Sequence, residues 1–83
     1  MRITINIFEL SLGSAAIVIS YNRVYGGYIG KLISKGLVPG TAFVVLDFSV
    51  AQGGAQIMLQ DKILTLSKPE ANALCIETMT ESD

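Results

Sequence analysis

Within six positions, Gly36-Leu37-Val38-Pro39-Gly40-Thr41, the chain places two glycines and a proline between an amphipathic segment and its most β-prone run. No regular element passes through such a stretch, because proline fixes φ near −65° without an N–H and glycine supplies left-handed backbone. Gly36 is positioned to end a helix as its left-handed C′ residue. Val38-Pro39-Gly40 then suits a type II turn, with Pro at the second position and Gly at the third. The chain must reverse here from helix into strand, so the fold is one built around tight corners.

The segments on either side fit that requirement. Upstream, "YGGYIGKLISKG" carries Tyr25, Tyr28, Ile29, Leu32 and Ile33 at three- and four-residue spacing, which stacks them on one helical face. Lys31 and Lys35 lie on another side near the C-terminal end, where positive charge suits the helix dipole. Gly26, Gly27 and Gly30 each cost about 1 kcal/mol relative to Ala in a helix interior, which predicts an irregular first turn and a firm second half. Downstream, "TAFVVLDFSV" reads as the strongest strand. Before the helix, "AAIVIS" is a β-branched strand, preceded by "MRITINIFEL", whose Ile3, Ile5 and Ile7 alternate as a short strand or extended arm. After the loop "AQGGA", "QIMLQ" and "KILTLS" read as a hairpin around Asp61-Lys62. Ser67-Lys68-Pro69-Glu70 has the spacing of a capping box and predicts a helical turn through Ala73. "LCIET" is a last strand with Leu74 and Ile76 on one face, and the polar tail Thr80–Asp83 frays. The order is strand, helix, strand, hairpin, helical turn, strand. Five short strands in one domain of 83 residues imply a small, highly bent sheet or barrel.

Composition excludes several classes of function. Six basic and seven acidic residues leave a net charge of −1, without the basic footprint of a nucleic-acid binder. No apolar run approaches the roughly 18 residues of a membrane helix, and Thr4, Asn6 and Glu9 interrupt what would be a signal-peptide core. A single cysteine, Cys75, allows no internal disulfide and points to an intracellular location. There is no histidine, and Glu9, Asp47, Asp61, Glu70, Glu77, Glu81 and Asp83 are scattered, so no catalytic residue, no metal-ligand set and no cofactor motif is nominated. Met58 and Met79 read as core or edge filler, and Cys75 as a packed or half-exposed strand cysteine. What remains is surplus apolar surface: 51 % of the residues are hydrophobic and 16 % charged. The strand after Gly40 concentrates it. Phe43 and Val45 occupy one face, yet Ala42, Val44, Leu46, Phe48 and Val50 on the other are apolar too, where a strand with one wet face would alternate. The N-terminal arm or the helix, an external partner, or a second copy of the chain would each satisfy that face.

The blocks in this order resemble the FeoA family. The family's loose pattern of "L-x-x-L-G-L-x-P-G-T-x-V-x-V", a glycine-containing loop, a hairpin and "L-x-x-x-E-A-x-x-I-x-V" is met by Leu32–Val45, Gly53–Leu59 and Leu64–Glu77, with "LGSAAIVI" (Leu12–Ile19) as the first strand. Coverage runs over roughly residues 8 to 78. The departures are the loop "VAQGGA", which lacks the family's prolines and acid, Asp61 where the hairpin commonly has glycine, and Ser67 where an arginine is frequent.

The resemblance implies a mainly β, SH3-like barrel of about five strands over a single domain, 1–83, and a non-enzymatic cytoplasmic accessory of bacterial ferrous iron uptake. It implies docking on the cytosolic GTPase region of the membrane permease FeoB, at the inner-membrane surface, without membrane insertion. The expected docking surface is the helix end and the corner, Leu32, Lys35, Leu37, Val38, Pro39 and Gly40, with Leu37 and Val38 exposed. Self-association through the Ala42–Val50 strand is a further expectation. The rival functions are a sensor or carrier that binds a metal ion directly, and an adaptor with an unrelated partner.

Overall fold

The computed structural model describes residues 4–48 and 53–79. Five strands and two short helices follow in the predicted order: β1 (Ala15–Tyr21), α1 (Ile29–Ser34), β2 (Ala42–Asp47), β3 (Ala55–Leu59), β4 (Lys62–Leu66), α2 (Lys68–Asn72) and β5 (Leu74–Thr78). The strands form one antiparallel sheet in the order β4-β3-β2-β1-β5. Alternate side chains turn inward, as the two-residue period of a pleated strand demands. Ala16 and Val18, Phe43 and Val45, Ala55, Ile57 and Leu59, Leu66, and Leu74 and Ile76 fill one continuous core. Register shifts between Val18 and Ser20 on β1, and between Val45 and Asp47 on β2, bend the sheet around that core. The result is a mainly β, SH3-like architecture whose ladder is not closed by pairing of β4 with β5.

The open side is spanned by α2, which connects those two edge strands and packs on both. Its start is the capping box read from the sequence. The Glu70 N–H donates to Ser67 Oγ at 3.4 Å, and the Ser67 N–H donates to Glu70 Oε1 at 2.9 Å.

Three local expectations are corrected. The alternation of Ile3, Ile5 and Ile7 does not continue as a strand within the described residues. Ile5 makes a single bridge to Ile76, then Ile7–Glu9 turns as a 3-10 helix because Asn6 caps it, its Oδ1 accepting from the Phe8 N–H at 2.9 Å. The turn still delivers Ile7 and Leu10 to the core. Secondly, the first turn is irregular as expected, a 3-10 turn over Arg23–Tyr28 with Tyr25 off helical geometry (φ −105°, ψ 36°), and α1 is regular, but the face predicted through Ile33 is not buried throughout. Leu32 is buried, Tyr25 and Tyr28 are half-buried, and Ile33 is 49 % exposed. Thirdly, the hairpin turns at Gln60-Asp61 rather than Asp61-Lys62, since Lys62 already pairs with Leu59, and Gln60 takes the left-handed φ of +57°.

The apolar run Ala42–Leu46 belongs to a central strand, with a neighbour on each edge. Beyond the register shift between Val45 and Asp47 the alternation reverses, so Phe48, expected on the outer face, turns to the core, where it meets Phe8 of the N-terminal arm at 5.5 Å. On the outer face, Val44 borders an open groove with Ala15, Ala42, Met58 and Met79. Met58 and Met79 are 38 % and 50 % exposed, and so lie on this face rather than in the core. Val50, Ile3 and the tail Thr80–Asp83 fall outside the described residues.

Of the two loop glycines, Gly53 takes φ +74° in the open, whereas Gly54 is buried with its Cα against the Leu66 backbone, where an added Cβ would overlap the Leu66 carbonyl oxygen. Gly54→Ala is therefore expected to lower stability by about 2–4 kcal/mol in urea denaturation, through overpacking against backbone. Gly53→Ala should cost about 1–2 kcal/mol, from left-handed strain alone. Equal losses at both positions would show that backbone conformation, and not the close approach, sets the requirement.

Candidate functional site

The corner from α1 to β2 is the site that the sequence singles out, and its hydrogen bonds explain its shape. Gly36 has φ +91°, its N–H bonds the Ile33 carbonyl at 3.0 Å, and the Leu37 N–H reaches back to the Leu32 carbonyl at 2.9 Å. This pair of bonds is the Schellman ending of a helix, which satisfies carbonyls that would otherwise be orphaned. The Thr41 N–H then bonds the Val38 carbonyl at 3.0 Å, and Gly40 has φ +95°, as a type II turn requires. Two further bonds fix the turn on β1: the Gly40 N–H donates to the Val18 carbonyl at 2.7 Å, and the Val18 N–H donates to the Thr41 carbonyl at 2.8 Å. The Tyr21 hydroxyl donates to the Leu37 carbonyl at 2.7 Å, and Thr41 Oγ1 to the Gly36 carbonyl at 3.2 Å. Burial raises the pKa of Tyr21, which keeps that hydroxyl a donor.

This geometry divides the six nominated residues. Val38, Pro39 and Gly40 are exposed, with Val38 at 39 %. Leu32 and Leu37 are both wholly buried in the core, so the expectation of an exposed Leu37 is wrong. The reason lies in the cap: a Schellman ending aims the residue after the glycine back at the residue three from the helix end, here Leu37 toward Leu32. That signal was present in the sequence, as a leucine directly after the C′ glycine.

Lys35 is half-buried and engaged with its own chain. Its ammonium lies 3.2 Å from both carboxylate oxygens of Glu70 and donates to the Thr65 carbonyl at 3.3 Å. Glu70 is 7 % exposed. Burial pushes its pKa up, but the Ser67 backbone N–H, the Lys35 ammonium and the Ser67 hydroxyl together outweigh that and hold it below the ordinary glutamate value. Lys35 thus braces α1 against β4 and α2. Sequence reasoning could not pair it with a residue 35 positions away.

Elsewhere the chemistry is sparse. Among the described residues no three of His, Cys, Asp and Glu come together as a metal cluster. A small polar hollow of about 170 Å³ is lined by Thr4, Asn6, Glu9, Asn22, Asn72 and Cys75, and the Asn6 Nδ2 donates across it to Asn72 Oδ1 at 2.9 Å. No helix of the described residues is long and apolar enough to cross a membrane.

A small mainly β, SH3-like domain with a Schellman-capped corner pinned to its first strand is thus the class of protein at hand. Residues 5–78 match the FeoA domain family, and the chain belongs to that family. Among solved structures it is similar to a FeoA-like protein from Clostridium acetobutylicum, with a TM-score of 0.82 and 24 % identity over 100 % of this chain and 95 % of that one. It is also similar to an iron uptake regulatory protein (FeoA), with a TM-score of 0.74 and 23 % identity over 93 % of this chain and 99 % of the other. At such identities these likenesses show the fold. No curated protein matches the chain. Family membership supports a role in ferrous iron transport.

Two measurements check the account of the corner. Leu37→Ala is expected to cost about 2–5 kcal/mol of unfolding free energy, as for a fully buried leucine, whereas Val38→Ala should stay within about 0.5 kcal/mol. Similar small values at both would place Leu37 outside the core. Because the folded Glu70 has the lower pKa, its pairing stabilises the fold above the unfolded glutamate value of about 4.3 and is lost as pH falls through the folded value. A thermal melt series across that range should therefore show a steeper acid loss for the parent chain than for Glu70→Gln. Parallel acid limbs would remove the Lys35–Glu70 pair from the pH response.

Proposed function

We propose that the chain is a non-catalytic accessory of ferrous iron uptake that docks on the cytosolic GTPase region of FeoB and modulates it. The observation that carries this reading is the family match over residues 5–78, most of the chain. The likeness to an iron uptake regulatory protein (FeoA) agrees with it. The docking surface follows from the corner. Val38, Pro39 and Gly40 project from a turn held to β1 at its Gly40–Thr41 end by two backbone bonds to Val18 and at its Leu37 end by the Tyr21 hydroxyl, and Ile33 on α1 adds a half-exposed apolar side chain. Such a preorganised apolar tip loses little conformational entropy on binding. Leu32 and Leu37 support it from inside, and Lys35 holds the helix end in place. Docking modulates the partner by differential affinity for its conformational states. A localisation in the cytoplasm, at the membrane surface when bound, belongs to the same reading.

Pull-down of the FeoB cytosolic domain by the parent chain and by Val38→Asp tests it. A charge at the tip should weaken capture at least about tenfold, the equivalent of ~1.4 kcal/mol, with the melting temperature nearly unchanged. Equal capture by both would take the corner out of the interface, and no capture by the parent chain would sink the docking function. Anaerobic calorimetry with ferrous iron separates the rival: one-to-one binding at micromolar affinity would favour a direct metal sensor or carrier.

A further inference from the structure

The two edges of the sheet are unequal. At β5 the N-terminal arm lies alongside, where Ile5 and Ile76 exchange backbone hydrogen bonds at 2.8 and 3.2 Å. At the other edge β4 pairs with β3 alone among the described strands. Register decides which of its groups face outward. Leu59 and Lys62 flank a two-residue turn, so Lys62, Leu64 and Leu66 bond β3 while Ile63 and Thr65 turn their backbone groups away from it. The Thr65 carbonyl bears this out, since it accepts from the Lys35 ammonium at 3.3 Å. Ile63 presents a backbone N–H and C=O outward at a position 58 % exposed. Its side chain also ends an apolar row across the outer face: Ile63 lies opposite Met58, Met58 opposite Val44, and Val44 opposite Ala15. Met79, whose N–H bonds the Ala15 carbonyl at 3.0 Å, closes the row.

We infer that β4 is a self-pairing edge, at which two copies of the chain join antiparallel about a two-fold axis at Ile63 to make one continuous sheet. Two observations select a second copy over an unrelated strand. Ile63 placed opposite itself exchanges both of its outward hydrogen bonds and runs the two apolar rows into one. The charges also match. With Ile63 on the axis, the exposed Asp61 falls opposite Thr65 of the second copy, beside that copy's Lys35. One short strand buries less than the ~1,200–2,000 Å² of a stable interface, so the dimer is weak, with Kd on the order of 100 µM.

Sedimentation velocity and amide hydrogen exchange from about 10 µM to about 1 mM bracket that affinity. The mass should rise from monomer to dimer, and the Ile63 amide should slow several-fold over the same range. The Ile57 amide, already paired inside the sheet, serves as the control. Ile63→Pro removes the outward N–H without touching the β3 ladder and should leave a folded monomer. Ile63→Lys, which keeps the backbone but sets like charges face to face, should raise Kd at least about tenfold and covers the case in which the proline variant fails to fold. A chain that stays monomeric at about 1 mM overturns the inference. So does a dimer whose Ile63 amide exchanges at the monomer rate, or one indifferent to Ile63→Lys.

Discussion

The fold depends most on how the backbone groups between α1 and β2 are satisfied. A helix end leaves its last carbonyls without partners, and a buried orphan of that kind costs as much as a lost hydrogen bond. Gly36 answers this by turning left-handed, which returns the N–H groups of Gly36 and Leu37 to α1. The same turn swings Leu37 beneath the helix and leaves Val38 outside. The type II turn that follows offers the Gly40 N–H and the Thr41 carbonyl to Val18, and these two bonds start the β1–β2 pairing. Helix stop, core insertion and strand register are thus one linked set of bonds. A substitution at Gly36 would disturb all three, and the space for it is small as well, because an added Cβ would lie 3.3 Å from Leu59.

A second constraint closes what the sheet leaves open. Since β4 and β5 do not pair, the span between them falls to α2, whose first turn is organised by Glu70. That carboxylate serves two roles at once, as the N3 member of a capping box and as the counter-charge of Lys35. Burying a carboxylate is costly unless each oxygen is met by a donor. Here both oxygens lie at 3.2 Å from the ammonium, and one also accepts from the Ser67 N–H. Removing Lys35 would leave a nearly buried charge half satisfied, so the pair matters more through the loss of one partner than through its own net attraction. Salt should weaken it only modestly, since Glu70 is shielded from solvent.

Much of this was legible in the sequence because it rests on local chemistry. The strand-helix-strand-hairpin order, the left-handed Gly36, the type II turn at Val38-Pro39-Gly40 and the Ser67–Glu70 box all arise from residues within six positions of one another, and each was found as read. The misreadings have local causes too. Asn6 reads as a polar step in an alternating arm, whereas it caps a turn; Gln60 gives no turn signal because a glutamine seldom adopts positive φ. Leu37 was placed outside because the turn residues beside it are exposed, although its place after the capping glycine sends it inward. Lys35–Glu70 and Tyr21–Leu37 were beyond reach, since they join residues 35 and 16 positions apart through tertiary packing alone.

The candidate surfaces separate along the same lines. Val38 and its turn belong to the corner pinned on β1, while Ile63 and Met58 lie on the hairpin at the far end of the strand order, two strands away from β1 at the nearest. Lys35 is the residue that touches both regions, ending α1 on one side and holding the Thr65 carbonyl on the other. A partner seated on the corner and a second copy paired along β4 would therefore occupy different faces, yet both would press on the same ammonium.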